Sequence, residues 1–332
     1  MMKAMMKRPG DDVKIFTGTS NPQLAEEVCQ LLGLSLGDAT ISRFKSGEVH
    51  VNIKESVRGA DVYVIQSFCH PVNEHFVELM VMIDALKRSS AGMINVILPY
   101  YGYARQEKQD SPREPITAKM VADVLTTVGA ERIITMDLHA AAIQGFFNIP
   151  VDHMTALDLI ADYLRTKDLR NAIIISPDAG RAKTAERLAT YLDLPVALMN
   201  KRRPKHNEAE ITHVIGEVEG KVPIIIEDMI DTGGTIIKVI ESLVEHGARP
   251  EVLLGATHAV FSDPAHERIQ HPAIREVIVT DTFPIQQLRL PKLTVLSSAP
   301  LFAEAIHRIH NNRSMSMLFG ESSYQSSEAG ES

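Results

Sequence analysis

The chain has 332 residues, 45% of them apolar and 23% charged, and a formal net charge of -8. That composition allows a sizeable core and two domains of about 150 residues each, and it excludes a disorder-dominated chain. The acidic balance argues against a general nucleic-acid or anionic-membrane surface, so the expected partners are small molecules, with no nucleic acid and no membrane. Two cysteines, Cys29 and Cys69, offer neither a metal spacing nor a disulfide framework. The stretch from Met1 to Asp12 lacks a signal-peptide apolar core, and no later run is long enough to span a bilayer. A cytoplasmic protein is expected.

Lys14 to Thr17 reads as a first strand, and Asn21-Pro22 as a cap and first-turn proline opening a helix to Leu32. After Ile41 to Phe44 and Gly47, the alternation of Val49, Val51 and Ile53 with polar residues predicts a half-exposed hairpin. Asp61 to Gln66 is a buried strand, Val72 to Arg88 an amphipathic helix, and Met93 to Leu98 a strand. A helix near Thr117 to Val128 and a strand at Arg132 to Met136 follow, then Asp137-Leu138-His139. The second half repeats the alternation with helix Ala156 to Arg165, strand Ala172 to Ser176, helix Lys183 to Leu192 and strand Val196 to Met199. The fold class is therefore α/β, with two similar domains, each a mainly parallel sheet flanked by helices. The expected division is a flexible N-terminus 1–12, a first domain 13–155 joined by 310–320, a second domain 156–309, and a disordered tail 321–332.

Chemistry concentrates at strand ends. Ile224 to Ile226 suits a doubly buried parallel strand, and the polarity changes at Glu227, where the strand is expected to end. Asp231, Thr232, Gly233, Gly234 and Thr235 then precede an apolar-periodic run, as a phosphate cradle at a helix N-terminus requires. Glu227 and Asp228 are placed to accept from sugar hydroxyls or to hold a metal. A plain capped turn needs a cap and a glycine, but not three acids, two threonines and two glycines together. Acids also follow other strands, at Asp137 to His139, at Pro177 to Gly180 and at Asp281, and these carboxyl ends are expected to share one cleft.

The Glu227 to Thr235 pattern resembles the phosphoribosyl-diphosphate (PRPP) binding motif of type I phosphoribosyltransferases and PRPP synthases. Tyr100 to Lys108 resembles the ATP loop of class I PRPP synthases; there Arg105 would meet phosphate oxygens and Gln106 an adenine edge or its ribose. Composition alone leaves that loop open between an ATP site and a solvated charged loop, and the order of residues decides. Lys201-Arg202-Arg203-Pro204-Lys205 resembles the mobile catalytic loop of these synthases, with Lys201 and Arg203 as the catalytic pair. Arg43 to Glu48 resembles the hairpin that reaches a neighbouring subunit's ATP site, with Phe44 stacking on adenine and Ser46 and Glu48 beside it. Without the resemblance, Phe44 is a hairpin hydrophobe. In the family, residues matching His139 and Asp178 hold metal, which implies Mg2+ as cofactor.

From about Lys14 to Phe319 the chain is thus similar to the class I ribose-phosphate pyrophosphokinases (PRPP synthases). The implied reaction transfers the β,γ-pyrophosphoryl group of Mg-ATP to the C1 hydroxyl of ribose 5-phosphate, giving PRPP and AMP. A homohexamer is implied, as are phosphate and ADP as effectors at a site drawing on Ser56, Arg58, Arg113, Ser314, Ser316 and Phe319. Two rivals are a phosphoribosyltransferase, which lacks an ATP loop, and a non-catalytic regulatory homologue, in which the Lys201 loop would be disrupted. Lys45, Arg181 and Glu227 depart from the family pattern; a second glycine is usual where Arg181 stands.

Overall fold

The computed structural model describes residues 13–205, 208–285 and 290–319, with only the backbone described for 200–213 and Met317. The expected flexible start, 1–12, and disordered tail, 321–332, lie outside the described residues. The described chain divides into two compact units.

The first unit begins with β1 (Val13–Thr17) and α1 (Pro22–Leu32). Asn21 caps α1 by accepting from the Leu24 N–H, and Gly33, at φ 68°, ends it. A separate antiparallel hairpin follows, β2 (Ala39–Arg43) and β3 (Val49–Ile53). Then come β4 (Asp61–Ile65), α2 (Val72–Arg88), β5 (Met93–Leu98), α3 (Thr117–Val128), β6 (Arg132–Met136) and β7 (Val151–Met154). The sheet is all parallel in the order β1-β4-β5-β6-β7. Val62, Val64, Val96 and Leu98 pack in one cluster with Leu79, Met82, Ile83 and Leu86 of α2 and Val121 and Leu125 of α3. The intervening Tyr63, Ile65 and Ile97 are buried as well, so these strands read as continuous apolar runs.

The second unit contains α4 (Leu157–Arg165), β8 (Ala172–Ser176), α5 (Ala182–Leu192), β9 (Val196–Lys205), β10 (Glu208–Ile215), β11 (Val222–Ile230) and α6 (Gly234–Glu245). It continues with β12 (Val252–Ala259), the short α7 (Ala265–Arg268), β13 (Ile274–Thr280) and β14 (Leu293–Leu296). Strand order is β10-β9-β8-β11-β12-β13-β14, and every pair but β10/β9 is parallel. From the centre the chain winds outward both ways, through β9 on one side and through β12, β13 and β14 on the other. The reversal lies between β8 and β11, and ligands of open α/β sheets bind beyond the strand ends at such a switch point.

Three expectations need correction. β11 does not end at Glu227: its ladder with β12 holds as far as Ile230 opposite Ala259, which keeps two acidic residues within the strand. The backbone of Lys201 to Lys205 is not a loop but continues β9, with Arg202 opposite Glu210 and Lys205 opposite Glu208 of β10. Finally, α8 (Ala299–His310), expected within 156–309, belongs to the first unit. It packs on α1, with Ser297 donating to Glu27 at 2.8 Å and His310 Nδ1 3.2 Å from Asp61 at the start of β4. Among the described residues no helix is long and apolar enough to cross a membrane.

Candidate active site

In the second unit the expected sugar and phosphate residues lie at the switch point. The β8 ladder to β11 ends with Ile175 opposite Ile225, so from Ile226 onward β11 has left its β8 neighbour while still paired with β12. The 177–181 turn fills that flank. Asp178 accepts from the Arg181 N–H at 3.2 Å, and its own carbonyl accepts from Ser176 Oγ at 2.7 Å. The Arg181 guanidinium reaches β11, with Nη2 2.5 Å from Asp228 and Nε 3.6 Å from Glu227. All three side chains are largely buried. Two of the sequence's departures from the family pattern therefore meet each other.

Beyond β11, Gly233 stands at φ 74°, a left-handed conformation that a residue with Cβ adopts only under strain, and α6 begins at Gly234. Thr232 and Thr235 are exposed, and the first-turn amides of α6 open the helix at this edge. The loop has a brace that sequence reasoning missed. Arg268 of α7 donates to the Thr232 carbonyl at 2.9 Å, and a Cβ on Gly234 would lie 3.1 Å from its guanidinium. Nothing in the local pattern points to Arg268, which is 36 residues away.

In the first unit, β5 leads into the Tyr100 to Lys108 loop. Tyr101 anchors it, buried against Phe68 and Phe147 with its hydroxyl donating to the Ala118 carbonyl at 2.8 Å. Gly102 is required because a Cβ there would come within 2.7 Å of Phe68. The anchor leaves Arg105 and Gln106 exposed, lining a cavity of about 280 Å³ with Lys108, Asp110, Glu114 and Pro115. Gln106 is oriented at both ends: its carbonyl accepts from the Ala118 N–H at 3.2 Å and its Oε1 from Thr117 Oγ1 at 2.5 Å.

The hairpin presents Phe44 at its tip, 56% exposed and edge-on to His50. It is therefore not a packed hydrophobe within this chain. Ser46 donates to Glu48 at 2.5 Å, and Gly47 turns the tip at φ 93°. Arg43, the last residue of β2 before the tip, pairs with buried Glu78 of α2 at 3.0 Å. Glu78 also accepts from the Thr19 amide at 2.6 Å and from the Gln66 amide group at 2.8 Å. This carboxylate ties the hairpin to the ends of β1 and β4, a link the sequence does not display.

His139 is half-buried after β6. The preceding turn bends at Asp137, φ 38°, and is fixed by the Leu138 N–H donating to His153 Nε2 at 2.9 Å, with Gln144 3.1 Å from Nδ1. Burial pushes His153 below its ordinary pKa against an opposing pull from Asp137. A neutral ring with Nε2 unprotonated is what that hydrogen bond needs. Among the described residues no three His, Cys, Asp or Glu side chains are grouped to hold a metal. His139 belongs to the first unit and Asp178 to the second.

The expected effector residues fall in three segments of the first unit. Ser56 and Arg58 are exposed between β3 and β4, Arg113 is exposed at φ 72°, and Ser314 and Ser316 lie 2.9 Å apart, ahead of half-buried Phe319. Among the described residues no hydrogen bond or ion pair joins these three segments. The side chains of Lys201 and Arg203 lie outside the described residues.

Comparison with known proteins gives a consistent result over more than nine-tenths of the chain. Residues 13–129 match the family model described as the N-terminal domain of ribose phosphate pyrophosphokinase, and 202–320 match the phosphoribosyl synthetase-associated domain. A ribose-phosphate pyrophosphokinase of Caldanaerobacter subterraneus is 51% identical over 95% of this chain and 100% of that protein. One from Bacillus subtilis is 48% identical over 95% and 100%. The crystal structure of phosphoribosylpyrophosphate synthetase from Mycobacterium smegmatis superimposes with a TM-score of 0.85 at 45% identity, covering 91% of this chain and 99% of that one.

Proposed function

Because the chain belongs to the ribose-phosphate pyrophosphokinase family, we propose a division of its reaction between the two units described above. The protein is an enzyme that makes PRPP from ATP and ribose 5-phosphate. The first unit receives ATP: Arg105 meets its phosphates, Gln106 its adenine or ribose, and the hairpin residues Phe44, Ser46 and Glu48 an adenine. The second unit receives ribose 5-phosphate, its 5-phosphate on Asp231 to Thr235 and the first-turn amides of α6, its hydroxyls on Glu227 and Asp228. The observation that carries this reading is the position of the latter group, at the switch point of an open parallel sheet.

The C1 hydroxyl attacks the β-phosphorus and AMP leaves. Such in-line transfer is chiefly positioning and charge neutralisation. Lys201 and Arg203 supply cations to the equatorial oxygens as negative charge redistributes. His139 and Asp178 are the residues that would hold magnesium, which when bound neutralises the polyphosphate. The enzyme is taken to work in the cytoplasm as a homo-oligomer, a hexamer by resemblance. Phosphate and ADP would compete at a site drawing on Ser56, Arg58, Arg113, Ser314, Ser316 and Phe319.

A pair of variants tests the division. Asp231→Ala is expected to raise KM for ribose 5-phosphate about tenfold or more with KM for ATP little changed, and Arg105→Ala the reverse. A pure ATP defect in Asp231→Ala contradicts it.

A further inference from the structure

The two departures that meet at the switch point do not sit there passively. Neighbouring residues of a strand point to opposite faces, so Glu227 and Asp228 diverge from the backbone of β11. One guanidinium nevertheless serves both, with Nη2 2.5 Å from Asp228 and Nε in a looser ion pair 3.6 Å from Glu227. It does so because β8 has stopped pairing at Ile175 and the 177–181 turn brings Arg181 against the flank of β11. The charge is well sheltered: the Arg181 side chain is 17% exposed, that of Asp228 5%. Buried carboxylates of this kind demand a cation, and a divalent ion is the usual alternative to an arginine fork. A glycine at position 181 would have no charge to offer.

We propose that Arg181 is a positioning residue of the ribose 5-phosphate subsite, supplying from within the chain a positive charge to Glu227 and Asp228. It thereby excludes a free divalent ion from that pair. This rests on the reading of Glu227 and Asp228 as the ribose subsite. The fixed fork holds both carboxylates ready for ribose hydroxyls, which donate hydrogen bonds but carry no charge. The longer Glu227 is part of the same device: a glutamate extends one methylene further than an aspartate and meets Nε of the arginine. Arg181 also fixes Asp178 through its own backbone N–H, so one residue orders the acids of both strand ends.

The test uses full-length protein without nucleotide and Mn2+ as the probe, bound fraction being read by electron paramagnetic resonance. Arg181→Gly is expected to bind Mn2+ at least about tenfold more tightly than the wild type, because the close cation has gone. Adding Glu227→Gln to that variant is expected to abolish the gain, and Arg181→Lys to resemble the wild type. In kinetics at fixed Mg-ATP, Arg181→Gly should show a raised KM for ribose 5-phosphate at low free magnesium that falls as free magnesium rises, with kcat nearly constant. No gain in Mn2+ affinity for Arg181→Gly overturns the proposal, as does a KM indifferent to free magnesium. The subsite reading is tested apart from this by Glu227→Gln in the otherwise wild-type chain. An unchanged KM for ribose 5-phosphate there sinks the subsite reading, while the Mn2+ comparison still judges Arg181.

Discussion

Removing the Glu78 carboxylate is the perturbation whose consequences the structure specifies most fully. The side chain is fully buried and holds four groups: the Thr19 amide at 2.6 Å, the Thr19 hydroxyl at 2.9 Å, the Gln66 amide group at 2.8 Å and Arg43 Nη2 at 3.0 Å. Breaking a buried ion pair by removing one partner costs about 3–5 kcal/mol. Arg43 is one-third exposed, so water recovers part of its loss. About 2–4 kcal/mol is then expected for Glu78→Ala. At roughly 2–4 °C per kcal/mol for a unit of this size, Tm should fall by roughly 5–15 °C. Arg43→Met leaves the Thr19 and Gln66 bonds in place but strips the buried carboxylate of its cation, so it too should cost about 2–4 kcal/mol. Both variants release the hairpin next to its tip, so both should raise KM for ATP through Phe44, Ser46 and Glu48. Scanning calorimetry and initial-rate kinetics read the two effects separately. A Glu78→Ala protein with wild-type Tm refutes the energetic argument, and an unchanged KM for ATP in both variants refutes the link from hairpin to nucleotide.

Lys201→Ala should lower kcat by roughly a hundredfold or more with KM for ATP little altered, since its cation acts in the transition state; near wild-type turnover would remove it from the mechanism. Glu276 is raised by burial, but hydrogen bonds from Lys167, Tyr163 and Thr294 outweigh this and leave its carboxyl below the ordinary range. A depressed carboxyl stabilises above its unfolded pKa and loses that contribution as pH falls through the folded one. Glu276→Gln should therefore be less stable than wild type by about 1–2 kcal/mol at neutral pH, with the gap closing in acid, and a gap independent of pH would contradict this. Arg113→Ala should weaken phosphate activation and ADP inhibition together while sparing activity measured without effectors; unchanged curves of rate against ADP would eliminate it as an effector ligand.

Much of the fold was legible because its strands are buried on both faces. Runs such as Asp61 to Ile65 and Ile224 to Ile226 announce themselves by composition, and Asn21-Pro22 marks its helix by capping chemistry. The end of β11 was not legible, since Glu227 and Asp228 stay in the strand only because β12 supplies a ladder beyond them. Nor was the allegiance of α8: buried Phe302, Ala305 and Ile306 reveal an apolar face, but not which unit covers it. The phosphate loop could be read locally because its residues are consecutive. Arg268, which braces that loop, and Arg181, which meets Glu227 and Asp228 of β11, could not, because each reaches its partner across a distance in sequence that only the fold closes. His153 and Glu78 escaped for the same reason: they act through neighbours, fixing the turn before His139 and the hairpin strand next to its tip.

The central claim, that this chain passes an intact pyrophosphoryl group from ATP to ribose 5-phosphate, is tested most directly by phosphorus NMR of the purified enzyme with both substrates and magnesium. The account predicts the resonances of PRPP and AMP appearing in equal amounts as ATP disappears. ADP as the nucleotide product, or ATP left unconsumed in the presence of ribose 5-phosphate, would contradict it.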